Sequence, residues 1–254
     1  KPSSAASDVY KRQFFRRAKR NYVSKKLHLV ILCNGFELFS ISFATWSHRK
    51  LIDVYYIFWK KNTFNISTLS SFVTAGSGIK VAKHGNYGVS SNCGSSNVLE
   101  FLGINFSNNE SFLKSCIDKA GICFIHAPLF HPAMKNVMPV RTELGTRTIF
   151  NILGPMTNPA GVKIQLTGAF DKKLLEPMAQ TFLSLGTKSA WLVHGGDGTD
   201  ELSISGISYV IEIKNGLINK FTVTPKDLGI TTHPFGELIG GDSKYNASEL
   251  TALL

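Results

Sequence analysis

From residue 62 onward, apolar and polar positions fall into short blocks separated by Gly, Pro, Asn and Ser. TFNISTLSSFVTAG predicts a loop opening a helix, and SGIKVAKHG a short strand running into a loop. SSNVLEFLG has the Ser start and Gly stop of a helix. Residues 123–125 form a short apolar strand candidate. HPAMKNVMPVRTELGTRTIFNILGP predicts two helical stretches, separated or closed by Pro139 and Pro155. Residues 164–169 are strand-like, and 172–185 are helix-like up to Gly186. Residues 190–193 predict an apolar strand ending in the loop HGGDGTDE. Residues 207–214 and 217–224 alternate around Asn215-Gly216, a strong hairpin signal. Strands and helices interleave, so the pattern specifies an α/β fold, and no internal repeat is visible.

The first quarter of the chain has a different texture. Residues 1–13 are small, polar and basic without an apolar period, and read as a translated leader outside the fold. Residues 27–46 are apolar over a length that could span a bilayer. His28, Asn34 and Glu37 interrupt that run, so a buried segment ranks ahead of a membrane anchor.

Charge follows the same division. The 254 residues carry a net +11. Residues 1–61 hold 13 Lys+Arg against 3 Asp+Glu, and residues 62–254 hold 15 against 14. A nucleic-acid or membrane function read from basicity would therefore belong to residues 1–61 only. The four cysteines, Cys33, Cys93, Cys116 and Cys123, show neither CxxC nor His at zinc spacing. Reduced thiols of a cytosolic protein are the reading.

Four polar clusters sit on predicted strand-to-helix loops, where an α/β scaffold carries its chemistry. Thr63, Asn65, Ile66, Ser67 and Thr68 precede an apolar helix and could form an anion site or simply cap it. Lys83-His84-Gly85-Asn86, followed by Gly88, Val89, Ser90, Ser91 and Ser95, combines a cation, hydroxyls and close-approach glycines, as a polyanion requires. His131, Arg141, Arg147 and Pro155 form the third cluster. Arg141 could fork to a substrate carboxylate or form a surface ion pair with Glu143 or another acid. Asp200 and Glu201, after a Gly-rich loop, suit a hard cation such as Mg2+ or a solvated acidic turn. Together these features imply a Mg2+-dependent reaction of a phosphorylated donor with an acidic acceptor.

KHGNYGVSSNCGSSNVLEFLG, HPAMKNVMPVRTELGTRTIFNILGPMTNPA and HGGDGTDE strongly resemble the anthranilate phosphoribosyltransferase family of tryptophan biosynthesis. The resemblance runs from about residue 62 to residue 254. It implies a cytoplasmic homodimer that transfers phosphoribose from phosphoribosyl pyrophosphate (PRPP) to the amine of anthranilate. It also implies a nucleoside phosphorylase/phosphoribosyltransferase-like central sheet flanked by helices, plus a small helical domain toward which residues 131–158 contribute. By the same resemblance Thr63 and residues 65–68 hold pyrophosphate, with Ser67 also a metal ligand. Lys83, His84, Gly85, Asn86, Tyr87, Gly88, Val89, Ser90, Ser91 and Ser95 contact PRPP. Asp200 and Glu201 bind Mg2+. Asn86 and Arg141 contact anthranilate, and His84, His131 and Pro155 line its path. No residue is assigned as a catalytic acid or base, because the amine needs no strong base and the difficult step is departure of pyrophosphate.

The chain departs from that pattern in three places. The family's GTGGD loop is replaced by Asp53-Val54-Tyr55-Tyr56-Ile57-Phe58-Trp59-Lys60-Lys61-Asn62, which contains no glycine and predicts weak or absent turnover. The family's arginine after KHGN is Tyr87 here. Residues 1–61 stand in place of the small helical domain, and the chain stops at Leu254 where the family continues. Two alternatives stay open. One is a pyrimidine nucleoside phosphorylase-like enzyme, and the other is a nucleic-acid or membrane binder using residues 1–61.

Overall fold

The computed structural model describes residues 51–56, 63–88, 93–144, 146 and 148–254. The basic and apolar stretch 1–50, Phe58 and Trp59, the expected PRPP contacts Val89, Ser90 and Ser91, and Arg147 lie outside the described residues.

The described residues form a seven-stranded sheet in the order β3-β2-β1-β4-β5-β6-β7. Its strands are β1 Ile52–Tyr56, β2 Val81–Gly85, β3 Ile122–His126, β4 Ile164–Gly168, β5 Ser189–Gly195, β6 Ser208–Lys214 and β7 Leu217–Val223. The first five run parallel, and β6 and β7 add an antiparallel hairpin. Every residue of β2 is buried, because a parallel sheet covered on both faces has no solvent side to alternate toward. The edge strand β7 is largely exposed, with Leu217 67% accessible. The hairpin turn closes as expected, with positive φ at Asn215 and Gly216 (52° and 78°), the backbone a type I′ turn demands.

The sheet begins earlier than residue 62. β1 comes from the stretch set apart above as N-terminal, yet it lies between β2 and β4 in register with both. Ile52 and Val54 bury their side chains on one face. They join Leu166, Trp191, Val193 and Val210 in one core cluster. The alternate residues Ala190, Leu192, Ile211 and Ile213 enter a second cluster with Met178 and Phe182, as the two-residue period of a strand requires.

The helices follow the capping signals. α1, Ile66–Gly76, buries residues 67–75 behind the sheet. α2 is Ser95–Phe101. α3, Glu110–Ala120, lies in a stretch where the apolar pattern predicts no element. Asn109 caps it, Gly121 ends it at φ 76°, and Ile117 is its one buried residue. After β3 come α4, Ala127–Phe130, α5, Met134–Leu144, and α6, Phe150–Leu153. α5 runs through Pro139 instead of breaking there. The two helical stretches divide after Leu144, and the cost of the missing proline N–H is one intrahelical hydrogen bond. α7, Leu175–Ser184, ends before Gly186 at φ 75°. α8, Ser243–Leu253, packs Ala247 and Leu250 against Val98 and Leu99 of α2. Among the described residues no helix is long and apolar enough to cross a membrane.

Candidate active site at the carboxyl edge of the parallel strands

In a parallel sheet every strand points its carboxyl end to the same edge, and ligands bind in the crevice there. The described parts of all four clusters fall at this edge or on helices leaving it. Residues 63–68 follow β1, residues 86–88 and 93–95 follow β2, His131 follows β3 through α4, and residues 196–201 follow β5.

The centre is Lys83 on β2. Its Nζ donates to the Val54 carbonyl at 2.8 Å and to Ser67 Oγ at 3.3 Å. The first and second clusters are thus joined by a direct contact. Lys83 is 3% exposed, and burial pushes its pKa down to about 8, partly opposed by the charge of Asp53. It remains a cation at pH 7. Asp53 was not singled out as a site residue, although an acid inside an apolar strand is the signal that marks it. Its carboxylate accepts from His84 N at 3.2 Å and from Asn158 Nδ2 at 2.8 Å. Burial raises its pKa to about 6, against the lowering effects of Lys83, Asn158 and two backbone N–H groups.

Thr63 and Asn65 lead into α1, whose first turn is closed by Thr68 N donating to the Asn65 carbonyl at 3.0 Å. Thr68 Oγ1 is buried and has no hydrogen-bond partner among the described residues. An orphaned hydroxyl at a helix start is a donor awaiting an acceptor. The Asn65 side chain is engaged by the protein, donating to the Cys93 carbonyl at 3.4 Å and accepting from Asn246 at 3.0 Å.

The two described ends of the loop after β2, residues 86–88 and 93–95, are tied together. Asn97 Oδ1 accepts from Gly88 N at 3.0 Å and Gly94 N at 2.9 Å. The Asn86 carbonyl accepts from Ser95 Oγ at 3.4 Å and Ser96 N at 3.2 Å. A Cβ on Gly85 would strike the Ser95 hydroxyl, and one on Gly94 would enter the 86–88 backbone, so both glycines permit close approach. Tyr87 turns outward. Its hydroxyl donates to Glu100 Oε1 at 2.6 Å and its ring packs edge-on to His126, so the side chain serves the loop's outer face.

The third cluster assembles around Gly154 and His84. His84 Nδ1 lies 3.1 Å from the Gly154 carbonyl, and His84 Nε2 lies 3.2 Å from His131 Nε2. The carbonyl can only accept, so neutral His84 donates from Nδ1 and accepts from His131. Burial holds the His84 pKa down at about 4, the Gly154 carbonyl opposing it. Pro155 is buried beside Gly154, and a Cβ on Gly154 would collide with the Tyr55 hydroxyl. Arg141 lies with its guanidinium 5.8 Å from the Phe150 ring centre. The expected alternative, an ion pair with Glu143, does not form. Among the described residues no carboxylate pairs with Arg141.

Asp200 and Glu201 are both buried. Burial raises the pKa of each, and the neighbouring acids raise Glu201 further. Asp197 shapes the turn that presents them. Burial would raise it, but hydrogen bonds from Thr199, Ser203 and Ser205 outweigh that and hold it low. Among the described residues no group of three or more His, Cys, Asp or Glu converges as a ready metal cage, and no hydrogen bond joins Ser67 to the acidic pair. The donors on offer are carboxylate and hydroxyl oxygens. That set fits Mg2+, which binds one or two carboxylates and completes its shell with water and phosphate oxygens.

The fold and this edge define a class. The chain belongs to the glycosyl transferase family, a/b domain, whose profile matches residues 60–254. Within it, the chain is 51% identical over 192 residues to the anthranilate phosphoribosyltransferase of Clostridium kluyveri, covering 76% of this chain and 57% of that protein. It is 50% identical over 190 residues to that of Afipia carboxidovorans, covering 75% and 56%. The chain therefore spans just over half the length of these curated relatives. The solved anthranilate phosphoribosyltransferase of Thermus thermophilus superposes with a TM-score of 0.74 at 39% identity, over 80% of this chain and 60% of that one. The Saccharomyces cerevisiae enzyme, solved in complex with PRPP and Mg, gives 0.71 at 29% identity over 80% and 56%.

Proposed function

We propose that this edge binds PRPP with Mg2+ and anthranilate side by side, and that its chemistry is phosphoribosyl transfer to the anthranilate amine. The observation that carries the reading is the juxtaposition of two unlike subsites. A buried cation joined to a helix-start hydroxyl, Lys83 and Ser67, stands at the ends of β1 and β2. His84, next to Lys83 on β2, ties them to His131 and the Gly154 turn, and Arg141 follows on α5 free of any described acid. The relatives support it. The yeast enzyme has been solved with PRPP and Mg and with 4-fluoroanthranilate.

In the proposed reaction the bond from C1 of the ribose to pyrophosphate oxygen breaks, and its electron pair leaves on pyrophosphate. A bond from the amine nitrogen to C1 forms, and the nitrogen releases a proton to solvent. Residues 63–68, with the Thr68 hydroxyl, hold the pyrophosphate, and Lys83 offsets the charge that grows on it. Asp200 and Glu201, with Ser67, would hold Mg2+, which supplies further positive charge against the leaving group. Arg141 holds the acceptor carboxylate in a planar fork. His84, neutral at pH 7, and His131 fix the wall along which the amine reaches C1, and positioning supplies much of the rate. The homodimer belongs to this proposal and is checked by sedimentation equilibrium.

Calorimetry tests the binding reading. PRPP should bind this chain in the presence of Mg2+, and anthranilate should bind independently. Binding of uridine and phosphate with none of PRPP would replace the reading with that of a nucleoside phosphorylase. Salt-sensitive nucleic-acid binding alone would assign the function to residues 1–61.

A further inference from the structure

We infer that Asn246, on the C-terminal helix, is the positioning residue for the 63–68 loop, setting the orientation of Asn65 and through it the amides that face the pyrophosphate. The inference rests on the reading of that loop given above.

The segment 238–246 wraps the loop. Thr63 bridges Ile239, and Phe64 N donates to the Leu238 carbonyl at 3.0 Å. Gly240 lies so close that a Cβ there would come within 2.5 Å of Phe64 N and 2.8 Å of Asn246 Oδ1. Asn246 is 1% exposed and Asn65 is 2% exposed. Neither amide can exchange its partners for water.

Their orientation is forced. Gly241 N can only donate, and it lies 2.8 Å from Asn246 Oδ1. Asn246 must then present Nδ2 to Asn65 Oδ1, at 3.0 Å. Asn65 is left with Nδ2 facing the Cys93 carbonyl, at 3.4 Å, which can only accept. One chain of amides runs from the Gly240-Gly241 turn through Asn246 and Asn65 to Cys93, at the end of the loop that leads from β2 into α2. Asn65 makes no side-chain cap to α1. Its backbone carbonyl instead accepts from Thr68 N and Leu69 N, each at 3.0 Å. The Asn65 backbone thus closes the first turn of α1, and a shift of Asn65 as a whole carries the Thr68 and Leu69 amides with it.

The test uses this chain with Asn246→Ala, Asn246→Asp, Asn65→Ala and the Asn65/Asn246 double alanine variant. Asn246→Asp, assayed at about pH 8 to keep it ionised, keeps the acceptor for Gly241 N and so preserves the turn, but as a carboxylate it cannot donate to Asn65. The readouts are PRPP affinity with Mg2+, anthranilate affinity, and hydrogen exchange at the Thr68 and Leu69 amides. Asn246→Ala and Asn246→Asp should each weaken PRPP about tenfold, the loss of one buried hydrogen bond, while anthranilate binding changes less than about twofold. The double variant should bind PRPP no more weakly than Asn65→Ala, because residues acting through one contact are not additive. PRPP losses that add, or an Asn246→Asp variant that binds as the unaltered chain does, would overturn the inference. If the unaltered chain binds no PRPP, the reading of the site fails, and exchange decides the inference alone. Faster exchange at Thr68 and Leu69 in Asn246→Asp, with α7 unchanged, supports it. Unchanged exchange at those amides overturns it.

Discussion

Removing the Arg141 guanidinium should damage one substrate and spare the other. In the structure its nearest described partners are the Phe150 ring at 5.8 Å and Met138 Sδ at 3.9 Å. No described acid is left unpaired when it goes. Arg141→Ala therefore removes a cation–π contact of about 0.5–1 kcal/mol and a weak N–H···S contact, a fall of a few degrees in Tm. A charge-assisted hydrogen bond to a substrate carboxylate is worth about 1.5–3 kcal/mol, so anthranilate affinity should drop roughly 10- to 100-fold. PRPP affinity should stay within about twofold, because Lys83, Ser67 and residues 63–68 are untouched. Arg141→Lys should recover little, since an ammonium lacks the planar fork. The assay is fluorescence titration of anthranilate beside calorimetric titration of PRPP with Mg2+. Equal losses for both substrates, or an anthranilate affinity that does not move, would refute the assignment.

Three further outcomes are expected. His84 carries a folded-state pKa of about 4 against 6.5 for the free side chain. The unfolded chain thus takes up the proton first, and His84 should withdraw about 3 kcal/mol of stability as pH falls from 6.5 to 4. His84→Gln should remove that part of the acid destabilisation, so the difference in unfolding free energy between the two proteins must vary across this window and be flat above it. Gly154→Ala should lose about 1–3 kcal/mol through collision with the Tyr55 hydroxyl, measured by urea unfolding; an unchanged midpoint would mean the two groups do not touch. Asp200→Asn with Glu201→Gln should leave PRPP binding insensitive to Mg2+, whereas the parent chain should bind PRPP more tightly as Mg2+ is added. Identical Mg2+ dependence in both would take the metal away from this pair.

Local signals carried the elements well. Asn215-Gly216 announces its turn because few other pairs tolerate positive φ at both positions. Lys83 to Gly85 read as a strand entering a loop, and the structure has β2 ending at Gly85. The polar helix α3 escaped because its pattern buries only Ile117, although Asn109, Glu110 and Gly121 mark its ends. β1 escaped because it follows a stretch of foreign texture, and only its pairing with β2 and β4 shows where it belongs. The site was legible as four clusters, but not as one edge. Asn158 reaches Asp53 across 105 positions and Asn246 reaches Asn65 across 181. Buried polar pairs so far apart follow from the way layers stack, and no periodicity in the chain encodes them.

The central proposal is that this edge supports phosphoribosyl transfer to anthranilate, and that a glycine loop before residue 63 speeds it. Asp53 to Asn62 contain no glycine, so PRPP held by Lys83 and residues 63–68 lacks the additional glycine-loop amides that would stabilise the departing pyrophosphate. The direct measurement is product analysis by mass spectrometry with PRPP, anthranilate and Mg2+. It compares this chain with a variant in which residues 56–62 are replaced by a GTGGD loop. The restored variant should form N-(5-phosphoribosyl)anthranilate and pyrophosphate in equal amounts, at least about 100-fold faster than the chain as it stands, the scale of losing preorganised donors. Absence of that product from the restored variant, or equal rates from the two proteins, would contradict the account.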